Sequence, residues 1–258
     1  MRITILQTQL HWEAPAANRA GLAEILAPLA GTTDLAVLPE MFSTGFSMQA
    51  AALAEPMEGP TGQWLRNQAR LLGAAITGSF ICREEGRYFN RLLFARPDGS
   101  IDCYDKRHLF SLANEHETYT AGQKSLVLGW LGWRICPLIC YDLRFPVWSR
   151  QTPAAPYDLL LYVANWPARR GHHWRSLLPA RAIENQSYVA AVNIVGTDGN
   201  GLEYAGDSGI WDYSGQAVCH IGAGMPGIFT AELSLDALRQ YRAQLPFLGD
   251  SDAFQLER

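Results

Sequence analysis

Three stretches, DLAVLPE (34–40), RICPLIC (134–140) and DLLLYVAN (158–165), decide how the chain is read. Each is a short, almost uninterrupted apolar run that closes on a polar or reactive residue. Runs of this length, rich in Leu, Ile and Val, read as buried strands. Working outward, helical patterns lie between them. Ala17 to Leu29 carries apolar residues at Leu22, Ile25, Leu26 and Leu29. Thr61 reads as the N-cap of a helix running to about Leu72. His172 to Gln186 reads as a third helix, which Pro179 should kink or start late. Further strands are expected at Ile3–Gln7, Ala75–Cys82, Tyr88–Ala95, Ser100–Tyr104, Trp133–Cys140, Tyr188–Val195, Gly209–Tyr213 and Ala217–Ile221, with a short helix from Phe145 to Arg150. Pro97-Asp-Gly-Ser supplies a turn between two of them. Alternating strands and helices, with no glycine-rich nucleotide loop, linker or repeat, predict a layered α/β sandwich in a single domain spanning 1–258.

Composition narrows the function classes. The chain has 258 residues, 48% of them hydrophobic and 18% charged, a balance typical of a globular domain. Its net charge is -4 and no basic run exceeds Arg169-Arg170, so nucleic acid is not an expected partner. No apolar stretch approaches the roughly 20 residues that span a bilayer, and Met1-Arg-Ile-Thr-Ile-Leu lacks the marks of a signal peptide. Five scattered cysteines (82, 103, 136, 140, 219) argue against a disulfide framework and for a reducing, cytoplasmic setting. Cys136 and Cys140 fall on one face of a strand about 13 Å apart, too far for a disulfide. His172-His173 has no companion ligand at metal spacing, so neither a metal nor a cofactor is expected.

Reactive groups in α/β folds collect at the carboxyl ends of strands. Glu40, Lys106 and Cys140 sit at such ends, and together they supply what amide hydrolysis needs. A thiol attacks as thiolate, so it requires a base and a nearby cation. A carboxylate takes the thiol proton and returns it to the leaving nitrogen. An ammonium group stabilises the oxyanion, and the N–H of Tyr141, following the nucleophile, offers a second donor. The lysine is notable because the chain has 19 arginines and only two lysines, Lys106 and Lys124. A compact ammonium fits between a thiol and a carboxylate, whereas a planar guanidinium is wide.

LPEMFSTGF (38–46), YDKRHLF (104–110) and CYDLRFP (140–146), in this order, resemble the nitrilase superfamily of carbon–nitrogen hydrolases. YVANWP (162–167), RAIENQ (181–186) and DGNG (198–201) extend the resemblance, which runs to about residue 235. It implies an α-β-β-α sandwich that pairs as a homodimer, and a Glu40–Lys106–Cys140 triad acting as base, oxyanion-stabilising cation and nucleophile. It also implies a second glutamate between Lys106 and Cys140. Glu115 and Glu117 are the candidates, and counting back from Gly122 favours Glu115. The surroundings of Cys140 resemble the ω-amidase branch, which acts on 2-oxoglutaramate or 2-oxosuccinamate. Other amidases, N-carbamoyl hydrolases and nitrilases are the alternatives within the superfamily, although nitrilases usually follow the nucleophile with Trp-Glu where this chain has Tyr141-Asp142. A catalytically idle binding protein is the alternative outside it.

A small substrate with a carboxylate needs a cation at the far end of the pocket. Arg170 is the favoured contact, with Arg144 and Arg169 as alternatives; Arg144 can equally serve in a local salt bridge. Phe42, Phe46, Tyr119 and Trp166 are candidate apolar walls.

Overall fold

The computed structural model describes residues 1–152, 154–253 and 256. Fourteen strands are assigned among them: β1 (Arg2–Gln7), β2 (Leu35–Val37), β3 (Ala75–Glu84), β4 (Arg87–Ala95), β5 (Ile101–Asp105), β6 (Leu128–Trp130), β7 (Trp133–Ile139), β8 (Leu159–Ala164), β9 (Tyr188–Asn193), β10 (Val195–Thr197), β11 (Glu203–Ala205), β12 (Gly209–Trp211), β13 (Ala217–His220) and β14 (Gly227–Glu232). Twelve of them form two six-stranded sheets, ordered β14-β1-β2-β3-β4-β5 and β6-β7-β8-β9-β12-β13, while β10 and β11 pair as a separate ribbon. Taken in those orders, the two sheets have the same pattern of pairings: antiparallel, parallel, parallel, antiparallel, antiparallel. The chain therefore builds one layer twice, a duplication with no counterpart in repeated sequence.

Helices α1 (Pro15–Leu26) and α2 (Pro60–Leu72) cover one sheet. In α2, Leu65, Ala69 and Leu72 recur at helical spacing and are buried with Leu22 and Leu26 of α1 against Leu6, Ala36, Ile76 and Leu93. Gly73 closes α2 in the left-handed region, φ 64°, which a residue without Cβ adopts freely. Helix α3 (Gly171–Asn185) covers the other sheet through Trp174, Leu178 and Ala182, and α4 (Leu235–Gln244) adds Leu238 to the same core. Between the sheets, Ile3, Ile5, Leu35, Val37, Leu92 and Phe94 meet the β7–β9 layer. Burying a large aliphatic or aromatic side chain contributes about 1.5–3 kcal/mol relative to exposure, so this shared interior holds the sandwich closed. No described helix is long and apolar enough to cross a membrane.

The α-β-β-α sandwich expected from the sequence is the architecture found, with local corrections. Thr61 is not the cap of α2. The helix starts at Pro60, and the Glu55 carboxylate receives the Thr61 N–H (2.5 Å) and its hydroxyl (3.0 Å), doing from a distance what a capping side chain does locally. Pro179 lies inside α3 without delaying its start, because the apolar stripe from Trp174 to Ala182 commits the segment to the sheet. The expected strand 188–195 ends at Asn193, and β10 begins at Val195. Strands β6, β11 and β14 and helix α4 had no reading in the sequence.

Candidate active site

The matching layers bring their central strand ends face to face. Glu40 follows β2 and Asn165 follows β8, and across the gap the Asn165 N–H donates to Glu40 Oε2 at 2.8 Å. The Asn165 side-chain amide donates to the Glu40 main-chain oxygen at 2.7 Å. Lys106 follows β5. Its N–H is held by the Asn90 carbonyl (3.0 Å), and its own carbonyl accepts from Gly122 N–H (2.9 Å). Gly122 lies so close to the Asp105 carbonyl that any side chain there would collide with it.

Cys140 closes β7 at φ 45°, in the left-handed region that costs a non-glycine residue free energy. Buried Asp142 pins this geometry. Its carboxylate accepts from Ile139 N–H (3.1 Å), the Tyr104 hydroxyl (2.7 Å) and His108 N–H (3.0 Å), and His108 Nδ1 lies 2.8 Å away. The chain thus turns sharply after the strand, placing the sulfur at the base of the cavity.

Around that sulfur the charges form one buried cluster. Lys106 Nζ is 2.9 Å from Glu40 Oε1 and 3.0 and 2.9 Å from the two oxygens of Glu115. All three side chains are fully buried. Burial opposes the lysine's charge, but Glu115 and then Glu40 outweigh it and hold the ammonium above its ordinary range. Burial, with Glu40 adding repulsion, pushes the Glu115 carboxyl up against the pull of Lys106. Burial and then the Glu40 charge push the Cys140 thiol well above a free thiol, with Lys106 opposing. The resting sulfur is therefore a neutral thiol beside a base and an ammonium, and attack requires its proton to move as the new bond forms.

Above the sulfur opens a cavity of about 290 Å³. Phe46, Phe110, Tyr141 and Trp166 wall it, and Arg144, Arg169 and Arg170 reach it from one side. The Arg144 guanidinium lies over the Trp166 ring at 4.7 Å, and that of Arg170 over Phe110 at 4.9 Å. Among the described residues none of the three makes an ion pair; Arg144 instead meets His173 Nδ1 at 2.9 Å. Burial and then its two cationic neighbours, Arg169 and Arg144, hold the Arg170 guanidinium below its ordinary value.

Of the residues singled out in the sequence, Glu40, Lys106, Cys140, Glu115, Tyr141, Trp166, Arg144 and Arg170 meet here, whereas Glu117 is exposed. Phe42 does not wall the cavity. It is fully buried in the core beneath α2, its ring 5.5 Å from that of Trp64, because the turn after Glu40 directs it inward while Phe46 reaches the site. Tyr119 also sits behind the cavity, its hydroxyl on the Ser47 carbonyl at 2.5 Å. Sequence reasoning missed Asn90, which sits beside Arg91 in β4, and gave Asn165 no role although its motif was visible. It also missed Tyr204, which reaches the cavity from β11 with its hydroxyl on Asp198 (2.9 Å).

A buried thiol, carboxylate and ammonium at converging strand ends of an α-β-β-α sandwich define a hydrolase acting on carbon–nitrogen bonds other than peptide bonds. A model of the carbon-nitrogen hydrolase family matches residues 2–243, and the chain belongs to that family. It is similar to the omega-amidase YafV of Escherichia coli K12, 46% identical over 256 residues that cover 99% of this chain and 98% of the relative. It is 34% identical to the 2-oxoglutaramate amidase of Bacillus subtilis over 251 residues, 96% of each chain. Among solved structures, a CN-hydrolase superfamily protein from Xanthomonas campestris, with an arsenic adduct in its active site, superposes with a TM-score of 0.97 at 50% identity, covering 100% of this chain and 99% of that one. An amidase from Nesterenkonia, with acrylamide added to its active-site cysteine, gives 0.83 at 27% identity, covering 95% and 98%.

Proposed function

We propose that this chain is an ω-amidase, hydrolysing the terminal amide of 2-oxoglutaramate or 2-oxosuccinamate to the 2-oxo dicarboxylate and ammonia. The observation that carries the reading is the cationic group Arg144, Arg169 and Arg170, unpaired among the described residues, facing the same small cavity as Cys140 and Lys106. A short substrate spans this site with its carboxylate toward the arginines and its amide over the sulfur.

In this reading Glu40 takes the Cys140 proton as sulfur attacks the amide carbon. Lys106 and the Tyr141 N–H stabilise the oxyanion, each donor of this kind being worth about 3 kcal/mol of barrier. Glu40 passes the proton to nitrogen, the C–N bond breaks, and ammonia leaves. Glu40 then deprotonates a water that attacks the thioester, and the proton returns to sulfur as the acid departs. Glu115 keeps Lys106 charged and placed. The walls are Phe46, Phe110 and Trp166, and Arg170 is the main carboxylate contact. We further infer that residues 1–258 act as one domain, of which 153, 254, 255, 257 and 258 lie outside the described residues. The same reading has the enzyme working as a homodimer; it also places the enzyme in the cytoplasm, a setting that the five free cysteines support.

Ammonia release across 2-oxo acid amides, plain aliphatic amides, carbamoyl compounds and nitriles tests the substrate. The 2-oxo dicarboxylate monoamides are expected to have the highest kcat/KM, and a better plain amide or nitrile would overturn the assignment. Cys140→Ala should abolish turnover while leaving the circular dichroism spectrum unchanged.

A further inference from the structure

Asn90 stands in β4 opposite Ile81, almost fully buried at 1% exposure, and is not among the residues that line the cavity. Its side-chain amide has two N–H bonds for two carboxylates. Nδ2 is 2.8 Å from Glu40 Oε1 and 3.4 Å from Glu115 Oε1. Its main-chain oxygen holds the Lys106 N–H, so this residue grips the lysine through the backbone and both glutamates through the side chain. Asn90 Oδ1, by contrast, is buried with no partner among the described residues, a cost that the opposite orientation of the amide would transfer to the carboxylates.

The two oxygens of Glu40 are served differently. Oε1 accepts from Lys106 Nζ at 2.9 Å and Asn90 Nδ2 at 2.8 Å. Oε2 accepts from Asn165 N–H at 2.8 Å and more weakly from Asn165 Nδ2 at 3.5 Å. Asn165, the residue that serves Oε2, also reaches the thiol, with its carbonyl 4.0 Å from Cys140 Sγ. We propose that Asn90 is a positioning residue that occupies Glu40 Oε1 on the lysine side, leaving Oε2 as the oxygen that exchanges a proton with Cys140 and the departing nitrogen. A neutral donor suits this place. The cluster already holds two carboxylates against one ammonium, and an amide adds hydrogen-bond donors without adding a cation that would compete with Lys106 for Glu115.

The inference rests on the reading of Glu40 as the general base, and its test separates the two. Steady-state pH profiles on a 2-oxo acid amide are recorded for the wild type, Asn90→Leu, Asn90→Asp and Glu40→Gln. A carboxylate with one donor fewer accepts a proton more readily, so the acid limb of kcat for Asn90→Leu is expected to move up by about one pH unit. At its optimum kcat should fall about 10–100-fold, the loss of one hydrogen bond to a charged group. KM should stay within about twofold, since Asn90 does not reach the cavity. Asn90→Asp keeps the side-chain volume and serves if the leucine variant does not fold; a third carboxylate beside Glu40 and Glu115 should move the limb further in the same direction. An unmoved acid limb, with activity lost only in proportion to folded protein, would overturn the positioning role while Glu40→Gln remains inactive. An active Glu40→Gln would overturn the base assignment itself, and the role of Asn90 with it.

Discussion

Replacing Lys106 by methionine keeps the length of the side chain and removes the cation that pairs with Glu40 and Glu115. Both carboxylates have no solvent exposure, so neither recovers hydration when the ammonium goes. Asn90, Asn165 and the Phe110 N–H (2.6 Å from Glu115 Oε2) still donate to them, but none supplies charge. Breaking a buried ion pair by deleting one partner costs about 3–5 kcal/mol. At a urea dependence of about 3 kcal/mol/M, the unfolding midpoint should drop by roughly 1–1.7 M. The loss depends on pH, with a definite sign. Burial and Glu40 already raise the Glu115 carboxyl, and Lys106 is what opposes them, so the methionine variant raises it further. A carboxyl raised in the folded state brings a penalty that builds as pH climbs from the unfolded value to the raised one and is complete above it. Below the unfolded value of about 4.3 the penalty is absent. Urea melts at pH 5 and pH 8 should therefore show the larger midpoint drop at pH 8 and a partial recovery at pH 5. An equal drop at the two pH values, or one smaller than about 0.3 M, would refute the buried cluster as the source of the effect.

Two further perturbations separate pocket from core. Arg170→Met should raise KM for a 2-oxo acid amide by about 10–100-fold, one charge-assisted contact, and leave an uncharged aliphatic amide nearly unaffected; an equal effect on both in steady-state assays would remove Arg170 from substrate recognition. Phe42→Ala should lower unfolding free energy by about 3–5 kcal/mol while the KM of the surviving folded enzyme stays the same, as expected for a ring packed on Trp64 rather than on substrate.

The local sequence carried much of the site because the chemistry sits at strand ends. DLAVLPE and RICPLIC each announce a buried strand and the group that closes it, IDCYDK announces a part-exposed strand ahead of Lys106, and the scarcity of lysine sets Lys106 apart. The choice of Glu115 over Glu117 came from turn spacing, and the structure buries the first on Lys106 while exposing the second. Phe42 shows where such reasoning stops. Three residues separate it from Phe46, and only the path of the turn after Glu40 decides which ring enters the cavity and which enters the core.

The apolar runs, their helical spacers and the identities of thiol, carboxylate and ammonium are properties of short segments, set by side-chain periodicity and functional-group chemistry, and the sequence determined them by itself. The tertiary structure decided what depends on contacts between distant segments. It pairs β14 with β1 more than 200 residues apart and repeats one sheet topology without repeating its sequence. It also sets Asn165 against Glu40 and Asn90 between two glutamates. An asparagine has no signature of its own in a sequence, since its amide takes its meaning from whatever polar atoms folding brings to within hydrogen-bond distance.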